Sequence, residues 1–217
     1  MVQLTLQQLT IPPGQHVLLR EISWQAFEAI LEELGDRRGS RIAHENGTLE
    51  IWMPLPEHGF DKEIISDLLK ALLEELDIEF ITLGSTTFKN KQLGVGLEPD
   101  QCFYIQNEAL IRGKKRLDLT VDPSPDLALE SDPTSRTHST LYQALGIPEL
   151  WRFEQGQLQI NVLQNGEYLE IAESPTFPGF PLKAMLLKSL EQSRTVGRNT
   201  AMKSFRRWVQ TFVSNQL

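Results

Sequence analysis

The sequence predicts an α/β fold, a mixed β-sheet flanked by helices. Three observations carry that prediction. Strand-like and helix-like segments are interleaved along the 217 residues. Apolar residues recur at helical spacing, as in Ile64, Ile65, Leu68, Leu69, Leu72 and Leu73. Short apolar runs bounded by Asn-Gly, Pro and Asp have the pattern of strands between turns.

Taken in order, residues 1–20 are extended, with a turn at Pro12-Pro13-Gly14. Ser23 caps a helix with Trp24, Phe27, Ile30 and Leu31 on one face, ending near Gly35. Arg41–His44 and Thr48–Met53 flank Asn46-Gly47, a hairpin turn because both central positions favour positive φ. Pro54-Leu55-Pro56 closes this N-terminal helix-hairpin, and a helix follows over residues 57–75. Strands are expected at Ile78–Leu83, Gln101–Ile105, Leu117–Val121 and Leu127–Glu130. A short helix at Ser139–Leu145 precedes strands at Leu150–Phe153, Leu158–Leu163 and Tyr168–Ile171. The turn-rich segment 174–182 is a natural boundary. The chain therefore reads as a domain over 1–180 and a basic helical extension over 181–217, with helices near 183–192 and 199–213.

Composition narrows the function classes. At 40% hydrophobic and 23% charged residues, the chain has the make-up of a soluble globular protein. No apolar run approaches the roughly 20 residues that span a bilayer, so no membrane partner is expected. The N-terminus lacks the pattern of a secretory signal, and a cytoplasmic location is the default expectation. The single cysteine, Cys102, excludes an intramolecular disulfide and any zinc site built from several thiolates.

A net charge of −8 argues against non-specific binding to nucleic acid. The charge is uneven, however: Lys183, Lys188, Arg194, Arg198, Lys203, Arg206 and Arg207 face only Glu191 in the last stretch. That stretch is either a solvated helical face docked on the chain's own acidic body or a phosphate-contacting surface. Lys114, Lys115 and Arg116, with Arg112 nearby, pose the same choice between a solvated loop and a phosphate contact. Trp151 and Phe153 are expected in the core or a dimer surface, and His16 and His44 at the surface.

The chemistry concentrates between Leu97 and Phe153. Along Asp126-Leu127-Ala128-Leu129-Glu130-Ser131-Asp132, alternation puts the acids and Ala128 on one side and Leu127, Leu129 and Ser131 on the other. Glu130 ends an otherwise apolar strand, where a buried carboxylate needs a cation, a hydrogen-bond network or solvent. Paired with Asp100 across neighbouring strands, it would make a two-carboxylate site for Mg²⁺ or Mn²⁺. Pro-Asp pairs also open strands and turns, and Glu130 also suits the start of a helix near Pro133. Spacing alone leaves both readings open.

Longer stretches resemble one family. These are Gly84-Ser85-Thr86-Thr87, then LEPDQCFYIQ from Leu97, DLTVDPSPDLALE from Asp118 and YQALGIPELWR from Tyr142. In that order and spacing, with Pro54-Leu55-Pro56-Glu57-His58, they resemble the Uma-two family of putative restriction endonucleases, in the PD-(D/E)XK nuclease superfamily. The likeness covers roughly residues 20–180. It implies a restriction-endonuclease-like fold, with Asp100 as the acid of the Pro-Asp half-motif and Glu130 as the second metal-binding acid.

The superfamily's lysine would stand two residues after that acid, where this chain has Asp132. Many family members carry it four residues before the tyrosine of Tyr-x-x-x-Gly, where this chain has His138. His138 either takes over the lysine's work, with a charge that depends on pH, or marks a degraded site. His58 matches a family histidine at a helix start, either a cap or a residue on the site's rim. Glu63 is either a third acid, as in some nucleases of the superfamily, or an early-helix acid favoured by the dipole.

The resemblance thus implies a Mg²⁺- or Mn²⁺-dependent endonuclease that hydrolyses DNA phosphodiesters, plausible as a homodimer. The alternative is a catalytically degraded nuclease fold serving as a DNA- or protein-binding module. A sugar hydrolase fits two acids only generically.

Overall fold

Two sheets flanked by helices form the frame, the mixed α/β architecture that the sequence predicts. The computed structural model describes residues 8–35, 39–84, 86–131 and 139–216, without the side chains of 56–58. Its elements are β1 (His16–Leu19), α1 (Trp24–Leu34), β2 (Arg41–Glu45), β3 (Thr48–Trp52), α2 (Pro56–Glu75), β4 (Ile81–Thr82), β5 (Phe88–Asn90) and β6 (Val95–Leu97). Then come β7 (Gln101–Tyr104), α3 (Glu108–Ile111), β8 (Leu127–Glu130), α4 (Ser139–Ala144), β9 (Glu149–Glu154), β10 (Gln157–Gln164), β11 (Glu167–Ile171), α5 (Leu182–Thr195) and α6 (Arg198–Ser214). Among the described residues no helix is long and apolar enough to cross a membrane.

The first sheet is antiparallel, in the order β1-β3-β2-β6-β5. The second runs β11-β10-β9-β8-β7-β4, antiparallel except for the β8–β9 pair. A parallel pair needs a long crossover, and here the chain between Glu130 and Glu149 makes it, with α4 on the way.

Side-chain alternation along β8 separates two cores. Leu127 and Leu129 join Phe103, Trp151 and the apolar face of α2, with Leu186 of α5 and Phe205 of α6. Ala128 faces the other way, with Cys102, Leu150, Ala43 and Leu97 of the first sheet, and Leu141 and Tyr142 of α4. Helix α1 packs Phe27 on Ile42, Leu49 and Ile51, the outer face of the first sheet. Gly96 makes that approach possible, since a Cβ there would lie 2.5 Å from the Phe27 ring.

The acidic α2 face receives the basic C-terminal helices. Arg194 donates to Asp61 at 2.5 Å, Arg198 Nε to Asp67 at 3.0 Å, and Arg206 to Glu75 at 2.8 Å. Of the two readings of this basic stretch, docking on the chain's own acids is the one observed for these three arginines. Leu182, Leu186, Leu190, Phe205 and Val209 are at the same time buried in the core under α2.

Three expectations fail for identifiable reasons. Leu117–Val121 is a turn, because the Asp118 carboxylate accepts from Thr120 N and Oγ1, and Asp122 N bonds back to the Asp118 carbonyl. Local side-chain bonds thus defeat the strand pattern, and Val121 is left exposed. His44 is buried rather than superficial: Nδ1 lies 3.0 Å from the Gly94 carbonyl, Nε2 2.9 Å from that of Ile22, and the ring stacks on Phe27. Ser131 lies beyond the end of β8, where strict alternation lapses, and it turns to the acid side.

Candidate active site

The register of β7 and β8 brings the two acids together. Gln101 pairs with Leu129 in this antiparallel ladder, so the next step outward sets Asp100 opposite Glu130. Directly opposed residues share a face, here the face of Cys102 and Ala128 that looks toward the first sheet. Both acids are buried, at 5% and 4% exposure.

Each carboxylate is fixed by the end of the other's strand. Asp100 Oδ2 accepts from Ser131 N and from Ser131 Oγ, both at 2.9 Å. Glu130 Oε1 accepts from Asp100 N at 3.2 Å and from the Tyr142 hydroxyl. Tyr142 is itself buried in α4, so the crossover that makes β8–β9 parallel also delivers a donor to Glu130. Like charges directly opposed across two strands repel, and these four hydrogen bonds offset part of that cost.

A cation reaches the pair from the other sheet. Arg41 opens β2, whose Ile42 carbonyl accepts from Glu98 N and ties β2 to the Pro-Asp turn. Its Nε lies 3.8 Å from Asp100 Oδ1. On the far side, Arg152 of β9 is the parallel-register neighbour of Glu130. Glu98, two residues before Asp100, is also buried and accepts from Thr87 Oγ1 at 2.6 Å.

A family match decides what this arrangement belongs to. The Uma2 profile, described as putative restriction endonuclease, matches residues 24–188. The chain is a member of the Uma2 family. The match opens at α1 and closes inside α5, so it takes in both sheets and the acid pair of this Uma2 protein. A solved structure, that of a putative nuclease belonging to DUF820 from Anabaena variabilis, is similar at a TM-score of 0.46 and 14% identity. It covers 69% of this chain and 88% of its own. Among curated proteins no relative matches.

The other expected site residues of this Uma2 chain either lie apart from the pair or fall outside the described residues. Glu63 lies on α2, which packs on the opposite face of the second sheet, and it is exposed beside Lys62 at 3.1 Å. Among the described residues no third acid, histidine or cysteine joins Asp100 and Glu130 in a group able to hold a metal. His58 is in the first turn of α2, with its side chain outside the described residues, and His138 lies outside them altogether. Lys114, Lys115 and Arg116 sit in the connection that leaves the far end of β7 and enters the far end of β8. Lys114 donates there to Asp122 and holds that carboxyl below its ordinary value, while Lys115 and Arg116 are exposed.

Arg41, Ser131 and Tyr142 escape the sequence reading. Arg41 comes from a different sheet, which no local pattern reveals. Tyr142 carried a usable signal, as a tyrosine on a short helix just after an acid-ended strand. Ser131 was hidden by the assumption that alternation continues past Glu130.

Proposed function

We propose that the chain is a divalent-metal-dependent endonuclease that hydrolyses DNA phosphodiesters, with Asp100 and Glu130 as the protein ligands of one Mg²⁺ or Mn²⁺. The observation that carries this reading is the meeting of two buried carboxylates at the seam between the sheets. Membership of a family described as putative restriction endonucleases supports it.

The donor set suits such an ion. Mg²⁺ and Mn²⁺ take oxygen ligands, and Mg²⁺ is usually bound through one or two carboxylates while keeping several waters. Asp100 and Glu130 offer only carboxylate oxygens, and Asp100 Oδ1 is turned away from the Ser131 bonds that hold Oδ2. An ion held there would lower the pKa of its water and neutralise charge on the phosphate.

The chain's own residues do the positioning. Ser131 fixes one carboxylate and Tyr142 with Asp100 N fixes the other, so neither has to reorient when substrate arrives. Hydrolysis adds one water across one P–O ester bond and leaves a phosphomonoester and a hydroxyl. His138 is the residue we assign to orienting that water.

The test pairs Asp100→Asn and Glu130→Gln with Mn²⁺ calorimetry and cleavage of duplex and branched DNA. Each variant should lose Mn²⁺ binding and at least about 100-fold in cleavage. Wild-type protein that takes up no Mn²⁺ at millimolar concentration leaves the binding-module reading, which the missing lysine and the net charge of −8 favour.

A further inference from the structure

We infer that Arg41 supplies a fixed positive charge to the active centre and contacts a non-bridging oxygen of the scissile phosphate beside Asp100. The inference rests on the endonuclease reading of Asp100 and Glu130, and it names a phosphodiester-contacting residue from the other sheet.

Three observations point to Arg41. Its Nε sits 3.8 Å from Asp100 Oδ1, close enough for charge attraction and too far for a hydrogen bond. That Nε is buried and makes no hydrogen bond among the described residues. The guanidinium therefore stands beside the acid pair with its Nε unspent, on the side of the Asp100 oxygen that Ser131 does not hold. Finally, β2 delivers it rigidly, paired with β3 on one side and β6 on the other.

Charge arithmetic agrees. Two carboxylates and one divalent ion sum to zero, which offers nothing to an incoming phosphodiester anion. Arg41 adds one positive charge beside Asp100, and arginine keeps its charge at every working pH. A histidine in the lysine's place does not. Arg152, which is half-buried beside Glu130 on β9, is the rival source of the same charge.

The experiment compares wild type, Arg41→Met, Arg41→Lys and Arg152→Met. The readouts are Mn²⁺-dependent cleavage of a duplex oligonucleotide, Mn²⁺ binding without DNA, and the slope of log Kd for the duplex against log salt in Ca²⁺. For Arg41→Met the expectation is a loss of at least about 100-fold in cleavage and a salt slope smaller by about 1. Its Mn²⁺ affinity should be equal to wild type or higher, since a cation next to the ligands is gone. Arg41→Lys should recover part of the cleavage and the whole salt slope. Unchanged cleavage in Arg41→Met overturns the inference. So does an unchanged slope with Arg41→Lys as inactive as Arg41→Met, the mark of a purely structural ion pair. Loss confined to Arg152→Met overturns it too. A wild type that neither binds Mn²⁺ nor cleaves overturns the endonuclease reading itself, and this inference with it.

Discussion

Removing one hydroxyl, with Tyr142→Phe, tests whether the acid pair is prepared for a metal. Phenylalanine keeps the ring in the core between the sheets, so the substitution isolates the donor to Glu130 Oε1. Tyr142 is 1% exposed and Glu130 4%, so bulk water cannot stand in for the lost donor. A hydrogen bond to a charged group contributes about 1.5–3 kcal/mol. At about 2 kcal/mol, the melting temperature of a chain this long should fall by roughly 4–8 °C. Mn²⁺ sharpens the test. At 100 times the wild-type Kd, the ion stabilises the wild type by about 2.7 kcal/mol. A ligand that loses its orienting partner typically costs about 10–100-fold in metal affinity. At the same Mn²⁺ concentration the variant should then gain only about 0.4–1.4 kcal/mol. Thermal melts of both proteins with and without Mn²⁺ should therefore show a gap that widens when the metal is added. A variant that melts within about 1 °C of wild type without metal, or that gains as much from Mn²⁺, would refute the reasoning.

Two further outcomes test the frame around the site. Glu149 is a buried carboxylate that accepts from Ser174 Oγ, Thr176 N, Thr176 Oγ1 and Trp151 Nε1, and so locks the 174–180 turn to β9. Glu149→Ala leaves several of those donors unmet, and the urea midpoint should fall by the equivalent of at least about 3 kcal/mol, with unchanged Mn²⁺ affinity in whatever protein remains folded. Arg206 tests the docking of α6. Its hydrogen bond, with one from Gln210, holds the Glu75 carboxyl below its ordinary 4.5. The stability this adds is fully present above the ordinary value and is lost as pH falls through the lowered one. Urea unfolding of Arg206→Ala should thus show a small deficit at pH 7, about 1 kcal/mol for a partly screened pair, that disappears in acid. A deficit that grows in acid would contradict the assignment.

The parts of this structure that sequence conveys are those governed by local rules. Asn46-Gly47 announces its hairpin, the repeat of leucines announces α2, and the Pro-Asp and acid-ended segments announce β7 and β8. The register that sets Asp100 against Glu130 follows from alternation once the two strands are taken as neighbours. Long-range placement is what remained hidden. β5 and β6 have three residues each, too few for a pattern, yet β6 pairs with β2 and leads straight into the Pro-Asp turn, which brings Arg41 to the acids. Glu63 is a candidate only through the superfamily resemblance, whereas the face of the second sheet that α2 covers is decided by Leu127, Leu129 and Trp151. His44 gave no outward sign of burial, since its two partners are backbone carbonyls from distant turns.

The way α5 and α6 are seated bears on how the protein can be shortened. A chain cut at residue 181 would remove Leu186, Leu190, Phe205 and Val209 from the core that α2 shares with the second sheet and orphan the acids of α2 at one stroke. Anyone seeking the smallest folded fragment should treat these last two helices as masonry.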